Sequence, residues 1–184
     1  MAARMRAHDW SATPLGPVDG WPQSLKTSVD IILGIPSPAI IWWGPQHVQI
    51  YNDAFVAIAR ERHPKLLGQP AAVGWADIFE AMQGLLSDAL NGRVVQLRDY
   101  TAVLDGPAGP EERVFDANWS PLRDESGAVA GVLQMLVETT ERHRASAALR
   151  EREDKYRSLF ETMGQGYLEV ELVRDIEGRA IDFT

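Results

Sequence analysis

The stretch IIWWGPQHVQIYNDAF, residues 40–55, decides how the rest of the chain is read. Ala39 to Trp43 and His47 to Tyr51 are two short apolar runs around Gly44-Pro45-Gln46, the pattern of a β-hairpin. The second run stops on Asn52-Asp53, and an apolar stripe at helical spacing (Phe55, Ile58, Ala59) begins at once, leaving Arg60, Glu61 and Arg62 for solvent. The Asn52 side-chain oxygen is expected to accept a hydrogen bond from a free backbone N–H in the first turn of that helix, and Asp53 favours the helix's positive end. Asn52 is therefore the residue expected to turn a strand into a helix.

Upstream of the hairpin, residues 1–22 are rich in proline and glycine and read as an irregular lead-in, with His8 in a mobile tail. Leu25, Val29, Ile32 and Leu33 then fall at helical spacing until Gly34 and Pro36 stop the run. Downstream, Trp75 to Leu90 carries Ile78, Phe79, Met82, Leu85, Leu86 and Ala89 on a helical period and ends at Asn91-Gly92. The period then falls to about two. Val94–Leu104, Arg113–Pro121 and Ala128–Thr139 read as three long half-buried antiparallel strands, separated by DGPAGPEE and RDESGA. Phe115, Ala117 and Trp119 share one face of the second strand; Val129, Leu133, Met135 and Val137 share a face of the third. Arg98, Asp99 and Asn118 are expected to face solvent. Residues 140–163 contain no Gly or Pro, enough for about 36 Å of helix. Residues 164–184 read as a hairpin that stops within its second strand, the expected opening of a further domain.

Composition narrows the function. The 184 residues carry a net charge of −8 with no concentrated basic face, which argues against a nucleic-acid groove. Cysteine is absent, which removes disulfides, thiolate metal sites and cysteine nucleophiles. No apolar leader is visible, and Val29–Trp43, the most apolar region, is too short and too broken by Gly34, Pro36 and Pro38 to span a bilayer. A cytoplasmic protein is the expectation. His8, His47, His63 and His143 form no metal-ligand spacing, and no convergent acid/base set stands out, so no catalytic residue is expected. His143, followed by Arg144, reads as part of a solvated linker.

The order of elements, with HVQIYNDAF (47–55) and NWSPLRDESGAVAGVLQMLVETTER (118–142), resembles a PAS domain. LREREDKYRSLFETMGQG (149–166) resembles the helix that opens a following PAS repeat. The lead-in DWSATPLGPVDGWPQSLKTSVDIIL (9–33), with WWGP and YNDAF, is similar to N-terminal PAS domains of bacterial sensor histidine kinases. The resemblance implies an α+β fold: a five-stranded antiparallel sheet with flanking short helices, an N-terminal helix and a C-terminal linker helix. It implies a lead-in (1–22), a PAS sensor domain (23–139), a signalling linker helix (140–163) and the start of a second PAS domain (164–184). No kinase core or ATP-binding domain appears before residue 184, so the chain itself is expected to be regulatory, serving a kinase, or alternatively a cyclase or transcriptional regulator, in the same polypeptide.

PAS domains often hold a small ligand between sheet and helices. The candidates here are Trp43, Tyr51, Phe55, Trp75, Phe79, Phe115, Trp119 and Met135, which equally serve as core filling; buried indole N–H groups in either case need acceptors. Without cysteine the flavin–cysteinyl photochemistry of light-sensing relatives is excluded, and without a histidine on the 75–90 helix haem is not implied. The cofactor stays open. Thr139 and Thr140 are expected to pass strain from the last strand to the linker, and Leu149 and Tyr156, seven apart, to lie on the seam of a weak parallel homodimer. The alternative is a ligand-free dimerisation module with a fully packed core.

Overall fold

In a computed structural model of the chain, residues 1–106, 109–164, 172–174 and 180–183 are described. They divide into two compact units, Met1–Thr140 and Glu141–Thr184. The first opens with α1 (Ala2–Ala7) and two single 3-10 turns, followed by α2 (Gln23–Gly34). The expected irregular lead-in and mobile His8 give way here to an ordered segment. The reason is two indoles: Trp10 and Trp21 are buried edge to face, 4.8 Å apart, and their N–H groups donate to the Met5 and Gly16 carbonyls at 2.8 and 2.9 Å. Burying two such rings stabilises a segment that proline and glycine leave without regular structure.

α2 buries Leu25, Val29 and Ile32, one stripe at i, i+4 and i+7, and packs against the first two strands. These are β1 (Ala39–Trp43) and β2 (Val48–Tyr51), the expected hairpin, in which Gly44 takes the left-handed conformation that its turn needs. Short helices α3 (Val56–Ala59) and α4 (Ala71–Gly74) follow, then α5 (Phe79–Leu90). The chain finishes the sheet with β3 (Val95–Gly106), β4 (Gly109–Arg123) and β5 (Val129–Glu138). All pairings are antiparallel, in the order β2-β1-β5-β4-β3. β3 and β4 run further than DGPAGPEE suggests, pairing Gly106 with Gly109; Pro107 and Ala108 lie outside the described residues.

Asn52 does not cap α3 itself, whose N-cap is Phe55 without a side-chain hydrogen bond; it ties the turn just before that helix. Its Oδ1 accepts from the Phe55 N–H, one residue before α3, at 3.0 Å and from the Ala39 N–H at 3.1 Å. Its Nδ2 donates to the carbonyls of Ile35 and Ser37 at 3.0 and 2.8 Å. A fully buried amide therefore ties the end of α2, the start of β1 and the entry to α3 into one corner.

In β5 the buried face differs from the one that alternation suggests. Val132, Gln134 and Leu136 are buried, whereas Val137 is exposed and Leu133 and Met135 are half-buried. The cause is register. β5 is apolar on both faces because Met135 and Leu133 pair with Ala39 and Ile41 of β1, all of whose residues are buried. Alternation cannot say which of two apolar faces looks inward.

The second unit holds most of α6 (Thr140–Gly164) and an antiparallel pair, β6 (Leu172–Arg174) with β7 (Ala180–Phe183). Residues 165–171, 175–179 and 184 of the hairpin expected over 164–184 lie outside the described residues. Along α6, Leu149, Tyr156 and Leu159 are exposed. Among the described residues no helix is long and apolar enough to cross a membrane, and no cluster of metal-ligating side chains occurs.

Candidate functional site

A cavity of about 240 Å3 lies between the sheet and α3, α5 and the segment at Trp75 that joins α4 to α5, in the first unit. The sheet supplies Trp42, Phe115, Ala117, Trp119, Gln134 and Leu136, all buried. The helical side supplies Phe55, Ile58, Trp75, Met82 and Leu85 among others. Ile78 and Tyr100, each close to half exposed, line it where it approaches solvent.

Four of the eight aromatic and methionine candidates line this space: Phe55, Trp75, Phe115 and Trp119. The other four do not. Trp43 is taken up elsewhere, its ring lying over Gly131 of β5. Tyr51 is fully buried against His63, with Oη 3.0 Å from Nδ1. Burial pushes the Tyr51 phenol up to about 12, against a nearby Arg4 charge, so it keeps its proton at neutral pH and can donate to that ring. Burial first, then the charges of Arg4 and the N-terminus, hold His63 below its ordinary value, which leaves Nδ1 able to accept. Phe79 packs at the start of α5, and Met135 belongs to the opposite face of β5.

Several lining residues were not among those candidates, Trp42, Gln134, Tyr100 and Ala102 among them. Trp42 stands beside Trp43 in a strand buried on both faces, so nothing in the sequence says which indole looks inward. Gln134 had a signal: it is the one amide in the apolar run GVLQMLVE. Tyr100 and Ala102 reach the cavity through a bulge. The β3–β4 register shifts between Leu97 and Tyr100, where Asp99 takes φ 54°. This extra residue returns Tyr100 and Ala102 to the face of Leu97. Asp116, buried on the other face, holds the bulge by accepting from the Asp99 N–H at 3.1 Å and the Arg98 guanidinium at 2.9 Å. Arg98 and Asp99 are exposed, and Asn118 is half-buried.

The indoles around the cavity are nearly all satisfied. Trp42 Nε1 donates to Gln134 Oε1 at 3.1 Å, and Trp75 Nε1 to Gln49 Oε1 at 2.6 Å. Trp119 Nε1 is buried with no hydrogen-bond partner among the described residues. An orphaned N–H in a dry site costs free energy comparable to a lost hydrogen bond.

The segment carrying Trp75 is latched from outside. Arg62 grips Asp77 through two hydrogen bonds of 2.7 Å, donates to the Gly74 carbonyl at 3.2 Å and lies over the Trp75 ring at 4.8 Å. The hydrogen bond from Arg62 is the main reason the Asp77 carboxyl is depressed to about 2 from 3.8. The latch is then fully formed above about pH 4 and is lost as pH falls toward 2. Wild type and Asp77→Asn, differing in thermal midpoint at pH 6, are expected to converge over that window. A gap that persists to pH 2 would show that the ion pair is not its source.

At the far end of the sheet, Thr139 and Thr140 grip β4. The Thr139 N–H donates to the Val114 carbonyl at 2.7 Å, and the Val114 N–H donates to Thr140 Oγ1 at 3.0 Å. Both threonines are buried, and Val114 adjoins the cavity residue Phe115.

Among solved structures, the PAS domain of Bordetella pertussis BvgS is similar over 72% of this chain and 98% of its own, at 20% identity and a TM-score of 0.55. The phage VqmA–DPO complex is similar over 70% of this chain and 59% of that one, at 20% identity and a TM-score of 0.50. An RNA-binding light-oxygen-voltage receptor is similar at 16% identity and a TM-score of 0.49, over 81% of this chain and 43% of its own. The chain thus spans about half the length of two of these three. No curated protein matches it. Residues 35–144 match the family model described as the PAS fold; with the five-stranded sheet and its flanking helices, this establishes that the chain belongs to the PAS family, whose members are sensory and interaction modules.

Proposed function

We propose that the first unit is a small-molecule sensor that regulates an output domain in the same polypeptide, a histidine kinase being the reading the lead-in's resemblance supports. The chain is regulatory, acts in the cytoplasm, and contributes no catalytic residue. The observation that carries the sensor reading is the cavity itself, lined mostly by apolar side chains and holding an unpaired indole N–H. A fully packed core would have favoured the dimerisation module instead.

Ligand bound there touches Phe115, next to Val114, whose two backbone groups are held by Thr139 and Thr140. A shift of β4 is passed through those hydrogen bonds to the residues that begin α6. The exposed Leu149, Tyr156 and Leu159 give that helix a seam for a homodimer whose register changes cheaply. The second PAS domain would begin at residue 164.

Native mass spectrometry of the purified chain, alone and as Ala117→Leu, tests the sensor reading. Ala117 is buried and lines the cavity, so the added branched carbons take up ligand space. The expected result is a stoichiometric small-molecule adduct on the wild type and none on a folded Ala117→Leu. A dimer with no adduct in either would support the interaction module. The kinase assignment fails if the full-length polypeptide acquires no phosphohistidine on incubation with ATP.

A further inference from the structure

The cavity's polar groups are unequal in kind, and this names a class of ligand. An indole N–H can only donate, so the Trp42 bond fixes the Gln134 side chain with its oxygen engaged and its Nε2 left to donate. Among the described residues, Trp119 Nε1 is buried and meets no acceptor, while Gln134 Nε2 is the donor end of an amide whose oxygen Trp42 occupies. Trp119 and Gln134 are direct partners across the β4–β5 ladder, so their side chains stand side by side on the cavity face. The site therefore offers adjacent donors and lacks a matching acceptor.

Charge and shape add two constraints. Among the described residues, no carboxylate, lysine, arginine or histidine lines the cavity, and Tyr100 at its edge is the one ionisable residue there. A charged ligand would lose its hydration without a counter-charge. The Trp42 and Trp119 rings are within 9° of parallel with centroids 6.0 Å apart, an offset stack lining the cavity whose geometry a further planar ring can continue. The volume, about 240 Å3, lies below the range of pockets for drug-sized ligands, roughly 300–1,000 Å3.

Resting on the sensor reading above, we infer that the cavity takes a small, planar, uncharged, largely apolar molecule bearing a carbonyl or ring-nitrogen acceptor, which receives the Trp119 indole N–H and the Gln134 amide. The acceptor is what converts an orphaned donor into a recognition element. A ligand without it leaves that donor buried and unpaired, so a polar ring is discriminated from its hydrocarbon counterpart.

The test compares three probes on the full chain by ligand-observed NMR: coumarin, which has a carbonyl acceptor and no N–H or O–H to bury, its hydrocarbon counterpart naphthalene, and the anion 2-naphthoate. The expected order is coumarin tighter than naphthalene by about fivefold to tenfold, the size of one neutral hydrogen bond, with 2-naphthoate weakest. Trp119→Phe keeps an aromatic ring and removes the donor, so the ratio of the two neutral affinities should fall to about one, whatever the smaller ring does to both. Should that variant fail to fold, the Trp119 indole proton resonance of the unaltered chain carries the same information: coumarin moves it downfield and naphthalene does not. Equal affinity for coumarin and naphthalene, or an advantage that survives Trp119→Phe, overturns the inference and leaves the sensor reading standing, with water serving the indole. Strong binding of 2-naphthoate overturns the requirement for an uncharged ligand. If neither neutral ring binds and native spectra carry no adduct, the sensor reading falls as well.

Discussion

Replacing Asn52 with alanine is expected to lower the unfolding free energy of the first unit by about 3–4 kcal/mol, with a fall of roughly 10 °C in its thermal midpoint. The side chain is 1% exposed and makes four hydrogen bonds, two as acceptor and two as donor. Every partner is a backbone group at a junction between elements. Alanine leaves two N–H groups and two carbonyls without their partner, and a well-packed corner admits little water to replace it. Each orphaned buried group costs about 1–3 kcal/mol; local relaxation keeps the total below their sum. Circular dichroism melts of wild type and Asn52→Ala measure this directly. A midpoint shift under about 3 °C would falsify the idea that one amide holds this corner, since it would place the cost near a single exposed hydrogen bond.

Gly131→Ala is the second large effect, and general rules give it the wrong sign. At a glycine with ordinary backbone angles, as Gly131 has, alanine usually stabilises by about 0.4–1 kcal/mol through the unfolded chain. Here an added Cβ would sit 2.6 Å from Cε3 of Trp43 and 2.7 Å from the Trp42 carbonyl oxygen. The ring lies across the glycine, and the carbonyl belongs to the neighbouring strand, so neither yields without moving β1 against β5. Such overpacking costs about 1–3 kcal/mol, which outweighs the entropic gain. The expected net effect is a loss of about 2 kcal/mol, read by urea unfolding, with Gly84→Ala as a comparison: a Cβ at Gly84, on α5, meets nothing within 4 Å. Should Gly131→Ala match the stability of the wild type, Trp43 must be free to leave its place, and its absence from the cavity would need another explanation.

These two sites also show how far sequence and structure divide the account. The hairpin at 39–51, the helix at 23–34, the three long strands and the stop at Asn52 were legible because each rests on local chemistry: alternation, helical spacing, and the hydrogen bonds that a side chain offers to nearby backbone. The family followed from the order of those elements. Phe55, Trp75, Phe115 and Trp119 were legible as pocket candidates for a weaker reason, namely that large aromatics in such a fold must pack between sheet and helices.

The remaining lining was decided by tertiary structure. Which of Trp42 and Trp43 faces inward depends on register and on what covers the strand's other side, and both faces of β1 are covered. Tyr100 enters through a bulge whose Asp99 is held by Asp116 of the neighbouring strand, 17 residues further along the sequence. Gln134 becomes a donor only because Trp42, 92 residues distant, occupies its oxygen. Local sequence determined the elements and their order, since those energies are settled within a few residues. The cavity and its unequal polar groups are set by contacts between residues far apart in the chain, and such pairings exist only once the sheet has closed.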